Sequence, residues 1–144
     1  MVSLTQLQSK EAPLGIVGLG YVGLPLAILL SKQFSVIGFD IDERKLTELR
    51  QGEDRTGEVG SDGLRASSMT YTSSVDELKK AKFFVVAVPT PVDEFNVPDL
   101  TLVRKATETV AKALTKDAVV VYESTVYPGV TEDVCVPILE KISG

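Results

Sequence analysis

Five short apolar runs punctuate the chain, and the stretches between them carry helical spacing or turn residues. The runs are Leu14 to Gly18, Ser35 to Asp40, Thr70 to Thr72, Phe83 to Val88 and Ala118 to Tyr122. Each is too short for a buried helix and rich in β-branched or aromatic residues, which predicts strands. Phe-Phe-Val-Val-Ala-Val, the fourth run, has no charge and is expected at the centre of a sheet, covered on both faces.

The intervening segments read as helices. Leu24, Leu26, Ala27, Ile28, Leu29 and Leu30 form the first, and Pro25 predicts that it starts near Val22 or bends in its first turn, where a missing N–H costs least. Asp42 is placed to cap the second, with Ile41 and Leu46 spaced as a hydrophobic staple and Gly52 as its stop. Ser74 and Glu77 have capping-box spacing for a short helix to Ala81. Asp99 caps a longer helix in which Val103, Ala106, Val110 and Leu114 share one face, while Arg104, Lys105, Glu108 and Lys112 are read as a solvated face. Thr131, Glu132 and Asp133 open a last helix that Pro137 kinks or restarts, ending at Gly144. Met1 to Pro13 is a polar lead-in without clear periodicity, and Gly52 to Met69 reads as a long surface excursion.

Strand and helix alternate throughout. This predicts an α/β fold: a Rossmann-type doubly wound parallel sheet with helices on both faces and strand order 3-2-1-4-5. Residues 1–13 are the lead-in and residues 14–144 a single domain.

Composition narrows the partners. The 144 residues are 44% hydrophobic and 24% charged, with a formal charge of -5. That balance suits a soluble domain whose partners are small molecules and protein, with no nucleic acid and no membrane. One cysteine forms no internal disulfide, and no leader pattern is evident, so a cytoplasmic location is expected. Histidine is absent, which removes the commonest general base and transition-metal ligand together. No metal site is expected. Cys135 lies among Val134, Val136, Ile138 and Leu139 and is read as packing rather than as a nucleophile.

The candidate chemistry sits at the strand ends. Leu14 to Gly18 runs straight into Gly18-Leu19-Gly20-Tyr21-Val22-Gly23, the G-x-G-x-x-G spacing of a dinucleotide turn. Gly18 permits the turn, Gly20 lets the backbone approach a pyrophosphate, and Gly23 lets the following helix pack closely. Asp40 ends the second run, 22 positions after Gly18, where a carboxylate accepts ribose hydroxyls and repels a 2′-phosphate. NAD is therefore expected over NADP. Arg44 either reaches the adenosine side or is a solvated helix charge. Pro89 and Thr90 follow the fourth run, and Thr90 either contacts the cofactor or only satisfies backbone groups in a rigid proline turn. Ser124 and Thr125 follow the fifth, with hydroxyls that either orient a nicotinamide, a substrate or a water or only serve the Pro-Gly turn after them, and Glu123 beside them is a weaker candidate base.

Gly-Leu-Gly-Tyr-Val-Gly-Leu-Pro-Leu-Ala from Gly18, Phe-Asp-Ile-Asp from Phe39, Val-Pro-Thr-Pro from Val88, Pro-Asp-Leu-Thr from Pro98 and Glu-Ser-Thr-Val-Tyr-Pro-Gly from Glu123 together resemble the UDP-glucose/GDP-mannose dehydrogenase family. The resemblance implies an NAD-dependent enzyme that oxidises the C6 alcohol of a UDP-sugar to a carboxylate in two hydride transfers, through a cysteine-bound thiohemiacetal and thioester, for surface polysaccharide precursors. The wording around Glu123 is similar to the UDP-N-acetylhexosamine branch, whereas a lysine commonly takes that place in the UDP-glucose branch. By the same resemblance Gly18, Gly20, Tyr21, Val22 and Gly23 line the pyrophosphate, Asp40 and Arg44 the adenosine ribose, and Pro89, Thr90, Ser124 and Thr125 the nicotinamide side, with Thr125 positioning a water or substrate. The family's catalytic cysteine, central helix and sugar-nucleotide domain are not among these residues. The expectation is a chain that binds NAD without turning over a sugar, any homodimer forming through other parts. A binding-only nucleotide sensor and a UDP-glucose 6-dehydrogenase are the alternatives.

Overall fold

The computed structural model describes all 144 residues. Five parallel strands form one sheet: β1 (Leu14–Val17), β2 (Val36–Phe39), β3 (Thr70–Thr72), β4 (Phe83–Val86) and β5 (Val119–Tyr122). Their order is β3-β2-β1-β4-β5, with Leu14 beside both Val36 and Phe83. The doubly wound sheet expected from the alternation is thus the one observed, and β4 is interior, between β1 and β5.

Strand side chains alternate between two cores, as a period of two requires. Leu14, Ile16, Val36 and Val85 face one layer, made by α1 (Leu4–Gln8), α2 (Gly23–Ser31), α3 (Glu43–Gln51) and α4 (Ser61–Ala66). Val17, Ile37, Phe39, Phe84 and Val86 face the other, made by α5 (Val75–Leu78), α6 (Thr101–Ala113) and α7 (Val136–Ser143). Val103, Ala106 and Val110 of α6 are buried, as their spacing predicts, and Phe84 and Ile16 are fully enclosed. At about 25 cal/mol per Å² of apolar area, these two layers supply most of the drive to fold. β5 is the edge, and all four of its residues are only half-buried.

The ends of the helices follow local chemistry, and several differ from the sequence expectation. Pro25 lies in the first turn of α2, where no intrahelical donor is lost. Asp42 caps α3 by accepting the N–H groups of Arg44 and Lys45, and Gly52 closes it at φ 83°. The Ile41–Leu46 staple does not form, since Ile41 is 78% exposed. Asp40 accepts the Asp42 N–H at 3.0 Å, and this turn throws Ile41 outward. Ser74 makes no side-chain cap for α5; its own N–H instead donates to the Thr72 hydroxyl. Asp99 stands one residue before the N-cap position of α6, which Leu100 fills without a side-chain cap, but its carboxylate still accepts the Thr101 N–H at 2.8 Å.

Three segments hold more structure than their polarity suggested. In the lead-in, Ser3 and Gln6 form a reciprocal capping box around α1, which buries Leu7. The excursion after Gly52 contains α4, whose Leu64 is buried, and Asp54 braces the turn before it through Thr56 and Val59. Before α7 the helix widens into a π turn over Thr131–Cys135, with the Val136 N–H bonded to the Thr131 carbonyl. Pro137 has no N–H and would clash with the carbonyl of Asp133, so the widened turn and restart are the helix's accommodation of it. Cys135 is buried against Val103 and Val130, in keeping with packing.

Candidate functional site

The carboxyl ends of β1, β2, β4 and β5 open onto two clefts that share the glycine turn. The first, about 310 Å³, is bounded by Gly18 and Gly20 on one side, Asp40, Ile41 and Lys45 on another, and Leu102, Lys105 and Thr109 of α6 on the third. The second, about 230 Å³, lies between Gly20, Tyr21 and Val22 and the loops that carry Pro89, Thr90, Ser124 and Thr125. Gly20, Ala87, Val88 and Pro89 line both. An extended ligand crossing this junction passes directly over Gly20. Such clefts at the order reversal of an open parallel sheet are where ligands of α/β proteins bind.

The three glycines of the turn answer to different constraints. Gly18 has φ 97°, and a Cβ there would sit 2.9 Å from the Ala87 carbonyl oxygen. A Cβ on Gly23 would collide with the carbonyl oxygen of Gly18, so Gly23 serves the contact of α2 with the turn and does not line a cleft. Gly20 is different. It has no positive φ, and a Cβ built on it meets no atom within 4 Å. Nothing inside the protein requires glycine at this position, which leaves whatever enters from the cleft.

Asp40, 7% exposed, is held by three donors. Its Oδ2 accepts the Leu19 N–H at 3.0 Å and the Lys45 ammonium at 2.7 Å, and its Oδ1 accepts the Asp42 N–H. The carboxylate is thereby fixed against the glycine turn at the wall of the first cleft, the position in which it would meet a ribose. Asp42, beside it, is held below the usual carboxylate range by the Lys45 N–H, against the opposing effect of desolvation. The Arg44 side chain is exposed and outside the cleft lining, so the cation at Asp40 is Lys45.

In the second cleft the hydroxyls divide their duties. Thr90 donates to the Thr125 carbonyl at 2.6 Å, and Ser124, 8% exposed, donates to the Val88 carbonyl at 2.7 Å. Both bonds tie the tip of β4 to that of β5. Thr125 and Glu123 stay exposed at the cleft. Behind them the Tyr122 hydroxyl is bonded to Thr107 at 2.9 Å, and burial pushes its pKa well up, so it is a closed structural group.

Sequence reasoning did not single out Leu19, Ile41, Lys45, Leu102, Lys105 or Thr109 as part of the first cleft. A signal existed for Lys45, five positions after Asp40 and one turn into the helix that Asp42 starts. Lys105 and Thr109 share the i, i+4 spacing of one helical face, but only the sheet geometry shows that this face borders the cleft.

Residues 12–144 match the profile of the UDP-glucose/GDP-mannose dehydrogenase family, NAD binding domain. The chain belongs to that family. Its likeness to other members is close: it is 54% identical to protein CapL of Staphylococcus aureus over 131 residues, 91% of this chain and 31% of that protein. It is 52% identical to a UDP-N-acetyl-D-glucosamine 6-dehydrogenase of Pseudomonas aeruginosa, covering 94% of this chain and 32% of that enzyme. The solved UDP-D-ManNAc dehydrogenase of Pyrococcus horikoshii superposes with a TM-score of 0.82 at 31% identity, covering 92% of this chain and 32% of that one. As a member of the family, the chain is its NAD-binding part and spans about a third of the length of the curated relatives it matches. NAD fits the site just described, with open space over Gly20, a fixed carboxylate at one end and a hydroxyl-bearing loop pair at the other.

Proposed function

We propose that these residues are the cofactor-holding part of a nucleotide-sugar 6-dehydrogenase, and that its substrate is a UDP-N-acetylhexosamine oxidised at C6 to the uronic acid. The observation that carries the cofactor half of this reading is the empty space over Gly20 at the junction of two clefts. The substrate half is supported by the names of the relatives, which include UDP-N-acetyl-D-glucosamine and UDP-N-acetyl-D-mannosamine dehydrogenases.

In this reading residues 14–144 form the cofactor domain and 1–13 its lead-in. Gly18, Gly20, Tyr21 and Val22 hold the pyrophosphate, with Gly23 closing the turn behind it. Asp40 receives the adenosine ribose, assisted by Lys45 in the place first given to Arg44. Pro89, Thr90, Ser124 and Thr125 wall the nicotinamide end, and Thr125 positions a water or the substrate. Bound NAD supplies the hydride acceptor. The chain's own residues orient it, and the turn's free N–H groups favour the negative pyrophosphate. The reaction itself, its supply of surface polysaccharide precursors, any dimer and a cytoplasmic location belong to the whole protein.

Two measurements test the proposal. Calorimetric titration of this chain should show NAD binding with no oxidation of added UDP-sugar. The full-length protein should convert a UDP-N-acetylhexosamine to its uronic acid with two NADH formed per sugar. NAD binding without oxidation of any UDP-sugar by the full-length protein would leave a binding-only sensor as the better description.

A further inference from the structure

A third cleft, about 370 Å³, lies between the end of α3, α4 and β3, and shares no lining residue with the two at the glycine turn. Arg50 and Arg65 line it, and no carboxylate does. Neither guanidinium takes part in an ion pair, although the chain carries a formal charge of -5. Both are nonetheless placed. Arg50 Nη2 donates to the Tyr71 carbonyl at 2.8 Å, and the Arg65 side chain lies over Gly52, where a Cβ would be 3.1 Å from its Nε.

The remaining groups around the cleft favour an anion. Two carbonyls in the last turn of α3, at Glu48 and Leu49, accept the N–H groups of Glu53 and Gly52, which lessens the negative end of the helix without removing it. Ser67 is also spent: it accepts the Met69 N–H and pairs with the Ser31 hydroxyl, which itself donates to the Ile28 carbonyl. Tyr71 is the exception. Its hydroxyl has no hydrogen-bond partner but is closed off from solvent, and so from a ligand in the open cleft. Burial raises its pKa, so it stays an O–H donor at neutral pH.

We propose that this cleft is a binding site for an oxyanion, a phosphate or carboxylate group clamped by Arg50 and Arg65. Guanidinium forks match the oxygens of either group and bind them about twice as strongly as neutral donors do. Leu49 and Leu64 form an apolar wall beside them, which lowers the local dielectric and strengthens the clamp.

The test is a titration followed by backbone amide NMR, with NAD present at saturation so that the glycine turn is filled. One arm uses inorganic phosphate and the other succinate, with chloride at matched ionic strength as the control. The expected result is saturable shifts at Gly52, Arg65 and Tyr71 in at least one arm, weakened about tenfold by either Arg50→Gln or Arg65→Gln. The arm that saturates names the group. Tyr71→Phe removes only the enclosed hydroxyl and should leave binding unchanged. Because the Arg50 and Arg65 side chains are exposed, an otherwise unchanged amide spectrum certifies the fold of both arginine variants. Shifts confined to Gly18–Gly23, equal shifts with chloride, or binding that survives both arginine changes would overturn the proposal and leave the cofactor reading untouched.

Discussion

The Thr90 hydroxyl donates to the Thr125 carbonyl across 2.6 Å, so the loops leaving β4 and β5 are bonded to each other at the mouth of the second cleft. Thr90 therefore spends its donor on the backbone, and any contact it makes with a ligand uses its lone pairs or its methyl group. The bond still matters for binding because it fixes Thr125 relative to Gly20. Thr90→Val is nearly isosteric and removes only the bond. A hydrogen bond worth about 0.5–1.5 kcal/mol predicts NAD affinity weakened roughly two- to tenfold. ADP-ribose, which lacks the nicotinamide, should bind both forms equally. Equal losses for the two ligands would place the effect of Thr90 outside the nicotinamide end.

Asp40 and Lys45 set the second expectation. With Lys45 at 2.7 Å and the Leu19 N–H at 3.0 Å, the carboxylate is pinned on the cleft wall, where the proposed function sets the adenosine ribose. Asp40→Asn removes the negative charge and leaves Lys45 free to meet a 2′-phosphate. The preference for NAD over NADP should fall by about tenfold or more, measured as the ratio of two dissociation constants. If the unsubstituted chain binds the two dinucleotides equally, the selectivity role of Asp40 is wrong.

The turn after Gly52 should be acid-labile. Burial pushes the Asp54 carboxyl up, but the Val59 N–H and the Thr56 hydroxyl and N–H outweigh it and hold the group below its ordinary range. A pKa lowered by folding contributes stability that is present above the unfolded value and lost as pH falls through the folded one. Residues Asp54 to Val59 should therefore lose amide protection, measured relative to the intrinsic exchange rate at each pH, as pH drops through and below the ordinary carboxylate pKa. Asp54→Asn should show the same local loosening already at neutral pH. The bonds are part-buried and confined to one turn, so the loosening should stay local and the global melting temperature should move little. A pH-independent exchange pattern in this turn would contradict the assignment.

Much of this architecture is written in local pattern. The strands, their order and the caps at Asp42 and Gly52 follow from apolar runs and single residues that act within one turn of themselves. What escaped the pattern depends on tertiary contact. Ile41 had staple spacing, but the turn made by Asp40 outcompeted it, and Ser74 lost its capping role to the Thr72 hydroxyl. Ser3 and Gln6 form a capping box in a stretch that reads as a polar lead-in, because α1 is five residues long and would be unstable without Leu7 in the core. The same limit applies at the site. Asp40 and the glycines could be found by spacing along one β-turn-α-β unit, whereas Lys105 and Thr109 reach the cleft only because the sheet sets α6 alongside it.

The sharpest separation between folding and binding lies within the glycine turn itself. Gly23 has the Gly18 carbonyl oxygen in the space a Cβ would need, so Gly23→Ala forces backbone apart at the first turn of α2. That change should destabilise the domain by more than the roughly 1 kcal/mol of an average substitution, seen as a lowered urea midpoint. At Gly20 the same space is empty and φ is not positive, so Gly20→Val should leave the urea midpoint close to that of the unsubstituted chain. Its branched side chain would instead fill the junction of the two clefts, where the pyrophosphate is proposed to lie, and NAD binding should be lost. Retained NAD affinity in Gly20→Val would move the pyrophosphate away from this turn, and an equal loss of stability in both variants would mean that Gly20 is held by packing after all.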